Sequence, residues 1–442
     1  MGFIWIKNKL MFNPKPSTIL HLDLNSCFAT IEQQANPFLR GKPIAVAAYA
    51  SPNGCILAPS VEAKRYGIKT GMRVKDGKML YPALIVLPPD PWKYRNIHLS
   101  LRKLLARYTN DFAPKSIDEF VLNLEGYPAR NASHSDAGGP AYSQGMHNIG
   151  MEIKKRIKQE VGEWLTVSVG IAPNRYLAKT AASLHKPDGL DEINQDNYLD
   201  CYLKLKLTDL CGIKEANAAR LASMKIFTVM DFYNAPVWKL KAAFHSITGY
   251  YWWLRLRGYE IDDMLFGRRS YGNSYALPAR IATQSVAGGA QALAPILAKL
   301  VEKTGFRLRK AGYRASGVHL GILFRDHSYW HKGVGLSRSI FDSRDIYKAI
   351  HLLLLKCPKV GRGIGVTNLA ESCFGLTRDN ALQLELFDDV VKRKSMVAAI
   401  DKTNKRWGDF VITSARMAQT AQYVPDRIAF GNVKELEEFT FS

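Results

Sequence analysis

The sequence predicts an α+β protein in which two mixed units flank a helical segment. Strand and helix patterns alternate over residues 18–184, residues 185–258 have helical patterns throughout, and residues 267–376 follow a β-α-β-β-α-β order. At 442 residues the chain is long enough for about three domains. Its uninterrupted apolar runs are too short to span a membrane, so we expect no membrane partner.

The first unit opens with an alternating apolar strand at 18–24, which a helix at 26–34 follows. Gly67 is a suitable C-cap for a short helix at 60–66. The other strands of this unit are predicted at 43–50, 83–87, 117–124 and 166–171, and its other helices at 94–108 and 147–160.

The second unit is predicted to hold two helices, near 290–311 and 344–356. Residues 1–17 are expected to form a loose N-terminal extension, and residues 377–442 a tail. Within that tail we assign no role to residues 401–430, for which folding back onto the second unit is one interpretation. The strands of the second unit are predicted at 270–276, 316–325, 333–341 and 366–375.

The charge balance indicates a polyanionic partner. Lys and Arg number 61 against 39 Asp and Glu, which gives a net charge of +22. More than half of this excess lies in residues 267–376, which contain 17 basic and 5 acidic residues. A small sheet domain with this balance is typical of a module that grips a nucleic-acid backbone. The alternative is a merely basic cytosolic or ribosome-associated protein.

Cysteine usage and the N-terminus indicate a cytoplasmic location. The six cysteines are scattered, and none belongs to a Cys-x-x-Cys pair, so a zinc ribbon is not expected. Scattered cysteines in a long chain fit a reducing compartment. Lys7 and Lys9 interrupt the first apolar stretch, which makes it a poor signal peptide.

Three acidic residues fall on predicted strands of the first unit. Asp23 lies near the end of the first strand, and Asp118 and Glu119 begin a later one. Carboxylates on neighbouring strands can hold two divalent ions for nucleotidyl transfer, and Mg²⁺ is the ion that such oxygen ligands favour. Adjacent residues of a regular strand face opposite ways, so convergence requires a turn, which Pro114 favours. An acidic pair taken alone is more often a solvated strand edge.

Several ordered motifs resemble those of the Y-family (UmuC/DinB-type) translesion DNA polymerases. They are residues 23–32 (DLNSCFATIE), 36–46 (NPFLRGKPIAV), 54–68 (GCILAPSVEAKRYGI), 116–119 (SIDE), 169–179 (VGIAPNRYLAK) and 186–189 (KPDG).

This resemblance implies a right-hand polymerase with palm, fingers, helical thumb and a C-terminal β-α-β-β-α-β little finger. The implied boundaries are palm 18–45 and 85–184, fingers 46–84, thumb 185–258 and little finger 267–376, with the DNA held between thumb and little finger. The implied activity is template-directed, low-fidelity translesion synthesis by two-metal nucleotidyl transfer to a primer 3′-hydroxyl.

The resemblance also assigns roles to individual residues of the first unit. Asp23, Asp118 and Glu119 would hold two Mg²⁺ ions with help from the Leu24 carbonyl. Phe28 would be the steric gate that excludes a ribose 2′-hydroxyl. The nucleotide would be bound by Ser26, by the backbone amides of Cys27 and Phe28, and by Lys64 and Lys179.

Two departures qualify the resemblance. Where many members carry Tyr and Arg on the fingers helix, this chain has Val61 and Lys64, which indicates a type nearer the catalytic subunit of bacterial polymerase V. In the thumb, Gly212 and Ile213 resemble a helix-hairpin-helix that presents amides to DNA phosphates. Lys214 replaces its second glycine, which would either distort the turn or add a phosphate contact.

In the tail, residues 383–387 resemble the short peptide by which bacterial polymerases dock on the sliding clamp. Gln383 would enter a polar pocket, while Leu384, Leu386 and Phe387 would supply apolar contacts. An amphipathic helix could supply the same five residues.

The expected partners are primer-template DNA, deoxynucleoside triphosphates, the sliding clamp and accessory polymerase subunits, in a nucleoid-associated setting. Two other functions compete with an active polymerase. A catalytically inactive adaptor is disfavoured because all three carboxylates are present. A palm-domain nucleotide cyclase is disfavoured because the chain lacks a Gly-Gly-Asp-Glu-Phe signature.

Overall fold

The computed structural model describes residues 11–127, 140–262, 268–378, 390–408 and 410–424. The chain divides into two compact units, with the division between Met264 and Leu265. None of the helices in these described ranges is long and apolar enough to cross a membrane.

The first unit combines strands and helices and then continues as helices alone, which confirms the predicted order of mixed and helical segments. Its elements, in chain order, are β1 (Ile19–Leu24), α1 (Cys27–Ala35), β2 (Ile44–Ala47), β3 (Ile56–Pro59), α2 (Val61–Arg65), α3 (Val74–Leu80), β4 (Ile85–Leu87), α4 (Pro91–Leu105), β5 (Phe112–Pro114), β6 (Glu119–Asn123), α5 (Pro140–Arg156), β7 (Val167–Ala172), α6 (Arg175–Ala181), β8 (Leu190–Glu192), α7 (Tyr198–Lys204), α8 (Glu215–Ser223), α9 (Val229–Asn234), α10 (Val237–Phe244) and α11 (Thr248–Arg255).

A five-stranded sheet, in the order β5-β6-β1-β7-β8, forms the centre of this unit. The middle strand β1 pairs antiparallel with β6 and β7. Because side chains alternate along a strand, β1 has two different faces. Leu20, Leu22 and Leu24 belong to one buried apolar cluster. Ile19, His21 and Asp23 share the opposite face, and Ile19 packs there in a second cluster with residues of α6.

Two short strands have pairings that the sequence did not predict. β4 pairs parallel with β2 in a separate three-stranded sheet, so residues 85–87 do not join the five-stranded sheet. β8 pairs with β7 in the five-stranded sheet, although residues 185–258 were expected to be helical throughout. Strands of three residues carry too little periodicity to be distinguished in a sequence.

The first described residues pack against the helical segment, so the expectation of a loose extension is wrong for residues 11–17. The Phe12 ring stacks on Tyr198 with centroids 4.2 Å apart. The Asn13 side-chain amide donates a hydrogen bond of 2.9 Å to the Gly258 carbonyl. Both side chains are buried.

The second unit confirms the predicted β-α-β-β-α-β order. Its four strands form an antiparallel sheet in the order β11-β10-β12-β9. The long helix α12 bends at Gly289, whose φ is +51°. The elements of this unit are β9 (Ser270–Ala276), α12 (Ala279–Lys310), β10 (Tyr313–Phe324), β11 (Tyr329–Ile340), α13 (Ser343–Leu355), β12 (Val366–Arg378) and α14 (Val390–Trp407).

Part of the tail folds onto this second unit. Arg309 of α12 forms a two-pronged ion pair with Asp401 of α14, at 2.8 and 2.9 Å. The buried Lys299 ammonium donates to the carbonyls of Thr420 and Ala421, at 2.7 and 3.1 Å. The interpretation that the tail folds back is therefore confirmed for its described residues from 401 to 424.

Candidate active site

The three acidic residues singled out in the sequence lie together at one end of the neighbouring strands β1 and β6. Asp23 of β1 lies directly opposite Glu119, the first residue of β6. Asp118 immediately precedes β6, and its carbonyl accepts a hydrogen bond of 2.9 Å from the Leu24 amide. Residues almost 100 positions apart in the sequence thus share one site.

A turn before β6 gives Asp118 and Glu119 their arrangement. The Lys115 amide donates to the Glu119 carbonyl at 2.8 Å, and the Ser116 hydroxyl accepts from the Glu119 amide at 3.0 Å. The same hydroxyl donates to the Asp118 carboxylate. Asp118 therefore lies outside the regular pleat, as the adjacency of the two acids required, and the predicted turn after Pro114 is confirmed.

Burial shifts the protonation of two of these acids. It raises the pKa of Asp118 to about 6, assisted by the nearby charge of Asp23. Burial also raises the pKa of Asp23, although the ammonium of Lys186 acts in the opposite direction. Carboxylates removed from water in this way favour a neighbouring cation.

Two lysines supply that positive charge. The Lys186 ammonium lies 2.7 Å from an Asp23 carboxylate oxygen. The Lys179 ammonium lies 2.7 Å from both carboxylate oxygens of Glu119. Burial, followed by the charge of Lys186, lowers the pKa of Lys64, while the charge of Asp23 raises it. Of the two lysines selected from the sequence, Lys179 therefore pairs directly with a carboxylate, whereas Lys64 is coupled to the site through charge.

Sequence reasoning missed the contact of Lys186, although residues 186–189 were among the motifs. A buried asparagine at the end of β1 holds this loop in place. The Asn25 side-chain oxygen accepts a hydrogen bond of 2.8 Å from the Asp188 amide, and its nitrogen donates to the Ser168 hydroxyl at 2.9 Å. These bonds bring Lys186 to the end of β1, where Asp23 lies.

His21 is a second residue that sequence reasoning missed. Its side chain is only 2% exposed, and neither ring nitrogen has a hydrogen-bond partner among the described residues. Burial, followed by the charges of nearby lysines, lowers the pKa of His21 to about 3, so the ring is neutral. One ligand atom each of His21, Asp23 and Glu119 lie within 4.8 Å of one another. The available signal was a histidine two positions before Asp23, on the same strand face.

The start of α1 adjoins the carboxylates. Ser26 has a left-handed backbone, with φ of +49°, and its buried hydroxyl has no hydrogen-bond partner among the described residues. A non-glycine residue in this conformation is typical of a functional site. The first residues of the nine-residue helix are Cys27 and Phe28, and amides at a helix start suit an anion.

The Phe28 ring is fully buried and belongs to the apolar core. It stacks on Tyr94 of α4, with ring centroids 4.2 Å apart and an interplanar angle of 7°. The Tyr94 hydroxyl in turn donates to the Glu32 carboxylate at 2.9 Å. The Phe28 ring is thus held in one orientation directly after the helix start.

The fingers and thumb residues selected from the sequence lie at the start of α2 and in the turn before α8. Val61 is the first residue of α2, which the Ser60 hydroxyl caps by accepting from the Ala63 amide at 3.2 Å. Gly212 has a φ of +84° and lies against Trp252. Ile213 is buried. Lys214 has extended backbone with φ of −116°, which any residue adopts, so replacing a glycine there does not distort the turn.

The residues of the predicted clamp-docking motif, Gln383, Leu384, Leu386 and Phe387, lie outside the described residues. The elements on either side of them are described. β12 ends at Arg378 and α14 begins at Val390, so the segment that carries the motif connects two elements of the second unit.

A sheet whose edge carries three clustered carboxylates with basic residues around them, joined to a helical segment and a separate basic sheet unit, is the architecture of a nucleic-acid polymerase. Comparisons with known proteins support this assignment to the nucleic-acid polymerases. Residues 22–183 match the impB/mucB/samB family, and residues 268–386 match its C-terminal domain.

Among curated proteins, the chain is 30% identical to the DNA polymerase IV of Pelotomaculum thermopropionicum over 405 residues, which are 90% of this chain and 94% of the relative. It is also 30% identical to the DNA polymerase IV of Moorella thermoacetica over 404 residues, or 90% and 95% of the two chains. The chain therefore belongs to the Y family of DNA polymerases and is a DNA-directed DNA polymerase of the translesion type.

Solved structures show the same fold. A Y-family DNA polymerase chimera of Dbh and Dpo4 matches with a TM-score of 0.68 at 22% identity, covering 81% of this chain and 99% of the other. An insertion ternary complex of Dbh DNA polymerase matches with a TM-score of 0.54 at 21% identity, covering 80% and 98%. The expected closeness to polymerase V is not supported, since the relatives carry the name DNA polymerase IV.

Proposed function

We propose that this polymerase extends a DNA primer by two-metal nucleotidyl transfer at Asp23, Asp118 and Glu119. The observation that carries the proposal is the meeting of these carboxylates at one sheet edge, where lysines neutralise two of them. Acids with raised pKa values on a buried sheet edge are the groups whose desolvation a bound cation offsets.

The residues present fit Mg²⁺, which prefers oxygen ligands and shares them with substrate phosphates. Asp23, Asp118 and Glu119, with the Leu24 carbonyl, would hold two ions. When bound, these ions would make the primer 3′-hydroxyl easier to deprotonate and would neutralise charge on the triphosphate. The protein's own contribution is to hold the carboxylates in register through the β1–β6 pairing and the Ser116 turn.

The nucleotide would bind where positive charge and the amides of a helix start coincide. Lys179 and Lys186 neutralise Glu119 and Asp23 in the metal-free protein. With cations held by those carboxylates, both ammonium groups would be available to phosphate oxygens, together with Lys64. The helix start at Ser26, Cys27 and Phe28 adds amide donors from the adjacent side.

We propose Phe28 as the steric gate against ribonucleotides. Two observations support this proposal. Phe28 is the second residue of α1, directly after Cys27. The Tyr94 ring fixes the orientation of the Phe28 ring. Because the ring is fully buried in the described state, contact with a sugar requires the nucleotide pocket to open onto it.

The basic second unit would bind the DNA as the little finger. The turn at Gly212, Ile213 and Lys214 would bind it as part of the thumb. The net charge of +12 over residues 267–376 supports backbone contacts, which weaken steeply as salt rises. The matching Dbh DNA polymerase was solved as an insertion ternary complex, which agrees with DNA and nucleotide as partners. On this division of the chain, the fingers are residues 46–84 and the palm is 18–45 and 85–184.

We also propose clamp docking through residues 383–387, in a cytoplasmic, nucleoid-associated enzyme that works with accessory subunits. The support is the motif itself and its position between β12 and α14. Replacing both Leu386 and Phe387 by Ala should remove stimulation by the clamp and leave clamp-independent extension intact. Equal stimulation of the variant and the wild type would exclude this motif as the docking peptide.

Primer extension with Mg²⁺ and the four deoxynucleotides tests the proposed reaction. Asp118→Ala should abolish extension while DNA affinity stays within about twofold of the wild type, because the acid binds no phosphate. Asp111→Ala is the matched control, since Asp111 is an exposed acid beside β5. Loss of DNA binding in Asp118→Ala would assign that acid a structural role. Absence of extension by every variant, with DNA still bound, would favour the adaptor function.

A further inference from the structure

The interior of the five-stranded sheet holds a histidine whose burial the polymerase mechanism does not explain. His21 lies between Ile19 and Asp23 on the face that α6 covers. Its neighbours across the sheet are Val121 of β6 and Gly170 of β7. A Cβ atom at Gly170 would lie 2.0 Å from the Ala178 carbonyl oxygen, so α6 packs directly on the sheet there. This close packing removes His21 from water.

An imidazole shut away from water normally has a hydrogen-bond partner, because an unsatisfied buried polar group costs about 1–3 kcal/mol. Neither nitrogen of His21 has one among the described residues. His98, another buried histidine among the described residues of this unit, keeps one contact: its Nδ1 lies 2.9 Å from the Ile117 carbonyl oxygen, and only its Nε2 is without a hydrogen-bond partner among the described residues. The free nitrogens of His21 therefore point to a ligand.

The atoms closest to that ligand position are carboxylate oxygens. The His21 Nε2 lies 4.0 Å from a Glu119 oxygen, and the set of one atom each from His21, Asp23 and Glu119 fits within 4.8 Å. A divalent ion with bonds of about 2.1 Å separates neighbouring ligand atoms by about 3 Å, so the ligand atoms would approach one another by about 1 to 2 Å. Glu119 and Asp23 can make this movement once they leave Lys179 and Lys186.

We propose that His21, Asp23 and Glu119 form a mixed nitrogen–oxygen site that binds a first-row divalent transition ion through the His21 ring. The choice of ion follows from the ligands. Carboxylates alone suit Mg²⁺ or Mn²⁺, whereas an imidazole adds a softer donor that favours later first-row ions such as Co²⁺ and Zn²⁺. The inference rests on the proposed function, because it uses two of the carboxylates assigned to catalysis.

Pulsed electron paramagnetic resonance of bound Mn²⁺ tests this ligand directly. Full-length protein with Mn²⁺, measured with and without a deoxynucleoside triphosphate, should show strong modulation from a directly bound ¹⁴N nucleus. Labelling only the histidines with ¹⁵N should change that modulation, and this sample needs no substitution. His21→Gln should remove it and weaken Mn²⁺ binding at least about tenfold. His98→Gln, the matched buried histidine, should keep it.

Three outcomes separate this inference from the proposed function. The inference is supported if bound Mn²⁺ shows a histidine nitrogen signal and His21→Gln removes that signal. Bound Mn²⁺ without any histidine signal overturns it and leaves the carboxylate site standing. Failure of the wild type to bind Mn²⁺, alone or with the nucleotide, overturns both.

Discussion

The Lys186 ammonium lies 2.7 Å from an Asp23 carboxylate oxygen, across the end of the strand where the predicted metal ligands meet. A lysine in this place neutralises a partly buried acid, as a bound cation would. The same holds for Lys179 and Glu119. In the metal-free site, two of the three carboxylates are thus paired with lysines. The effects expected from substitutions follow from these ion pairs and from the packing around them.

Replacing Lys186 should affect nucleotide binding more than the chemical step. Once a divalent ion binds Asp23, the freed ammonium is available to triphosphate oxygens, and losing such a contact costs at least about tenfold in affinity. Lys186→Ala should therefore raise the KM for the deoxynucleotide about tenfold, measured by steady-state single-nucleotide insertion. Lys158→Ala is the control, because Lys158 also pairs with this loop, 3.3 Å from Asp188, but is exposed. A fall in kcat with unchanged KM would show that Lys186 acts through Asp23 instead.

Removing the Phe28 ring should relax sugar selection. Phe28→Ala should raise the incorporation of ribonucleotides relative to deoxynucleotides by about 100-fold, which corresponds to about 2.7 kcal/mol of lost discrimination. Competitive insertion of the two nucleotides opposite one template base measures this ratio. Phe38→Ala provides an exposed aromatic control a short distance along the chain. Unchanged sugar selection in Phe28→Ala would leave Phe28 a core residue only.

The second unit should lose stability as the pH rises, because of one buried acid. Glu371 of β12 is buried. One of its carboxylate oxygens accepts hydrogen bonds from the Thr304 hydroxyl and the Asn273 backbone amide. The other oxygen has no hydrogen-bond partner among the described residues. Burial raises its pKa from 4.5 to about 8. The folded state therefore holds a proton that the unfolded state releases, and the stabilisation is complete below pH 4.5 and is lost as the pH rises towards 8.

Glu371→Gln should remove this pH dependence, because its amide is uncharged at every pH. Hydrogen exchange of β12 amides, corrected for intrinsic rates, should show the variant better protected than the wild type at pH 8.5 and nearly equal to it at pH 5. Identical protection in the two proteins at both pH values would mean that Glu371 is charged and solvated in solution.

The tail should stabilise the second unit through one partly buried ion pair. Asp401→Ala leaves the buried Arg309 guanidinium without its two-pronged partner, and we expect a loss of about 2 kcal/mol in the free energy of unfolding. Asp326→Ala, which removes an exposed ion pair of 3.4 Å with Lys359, should change the free energy of unfolding far less. Denaturant unfolding followed by signals from the second unit distinguishes the two. Equal effects would mean that the tail packs there without stabilising the fold.

The sequence predicted those parts of the fold and site that local pattern controls. The alternation that includes Leu20, Leu22 and Leu24 predicted the strand β1, and the adjacency of Asp118 and Glu119 required the turn that the structure contains. These features depend on residues a few positions apart, so local sequence patterns can predict them.

The contacts that sequence reasoning missed depend on distant residues. Lys186 reaches Asp23 because Asn25 binds the Asp188 amide, a hydrogen bond between residues 163 positions apart that no periodicity records. His21 looked like an ordinary strand residue, because only the packing of α6 on Gly170 isolates it from water. The helix α14 was missed because its sequence is largely polar and basic, and contacts such as Arg309–Asp401 hold it in place.

The most direct test of the account is the number of divalent ions that the assembled site holds. Mn²⁺ is titrated into the complex of the protein with a dideoxy-terminated primer-template and the matching deoxynucleotide, and the bound ions are counted from the resonance of free Mn²⁺. We predict two bound ions for the wild type and fewer for Asp118→Ala, with Asp111→Ala like the wild type. One ion or none in the wild type, or an unchanged count in Asp118→Ala, would contradict the account.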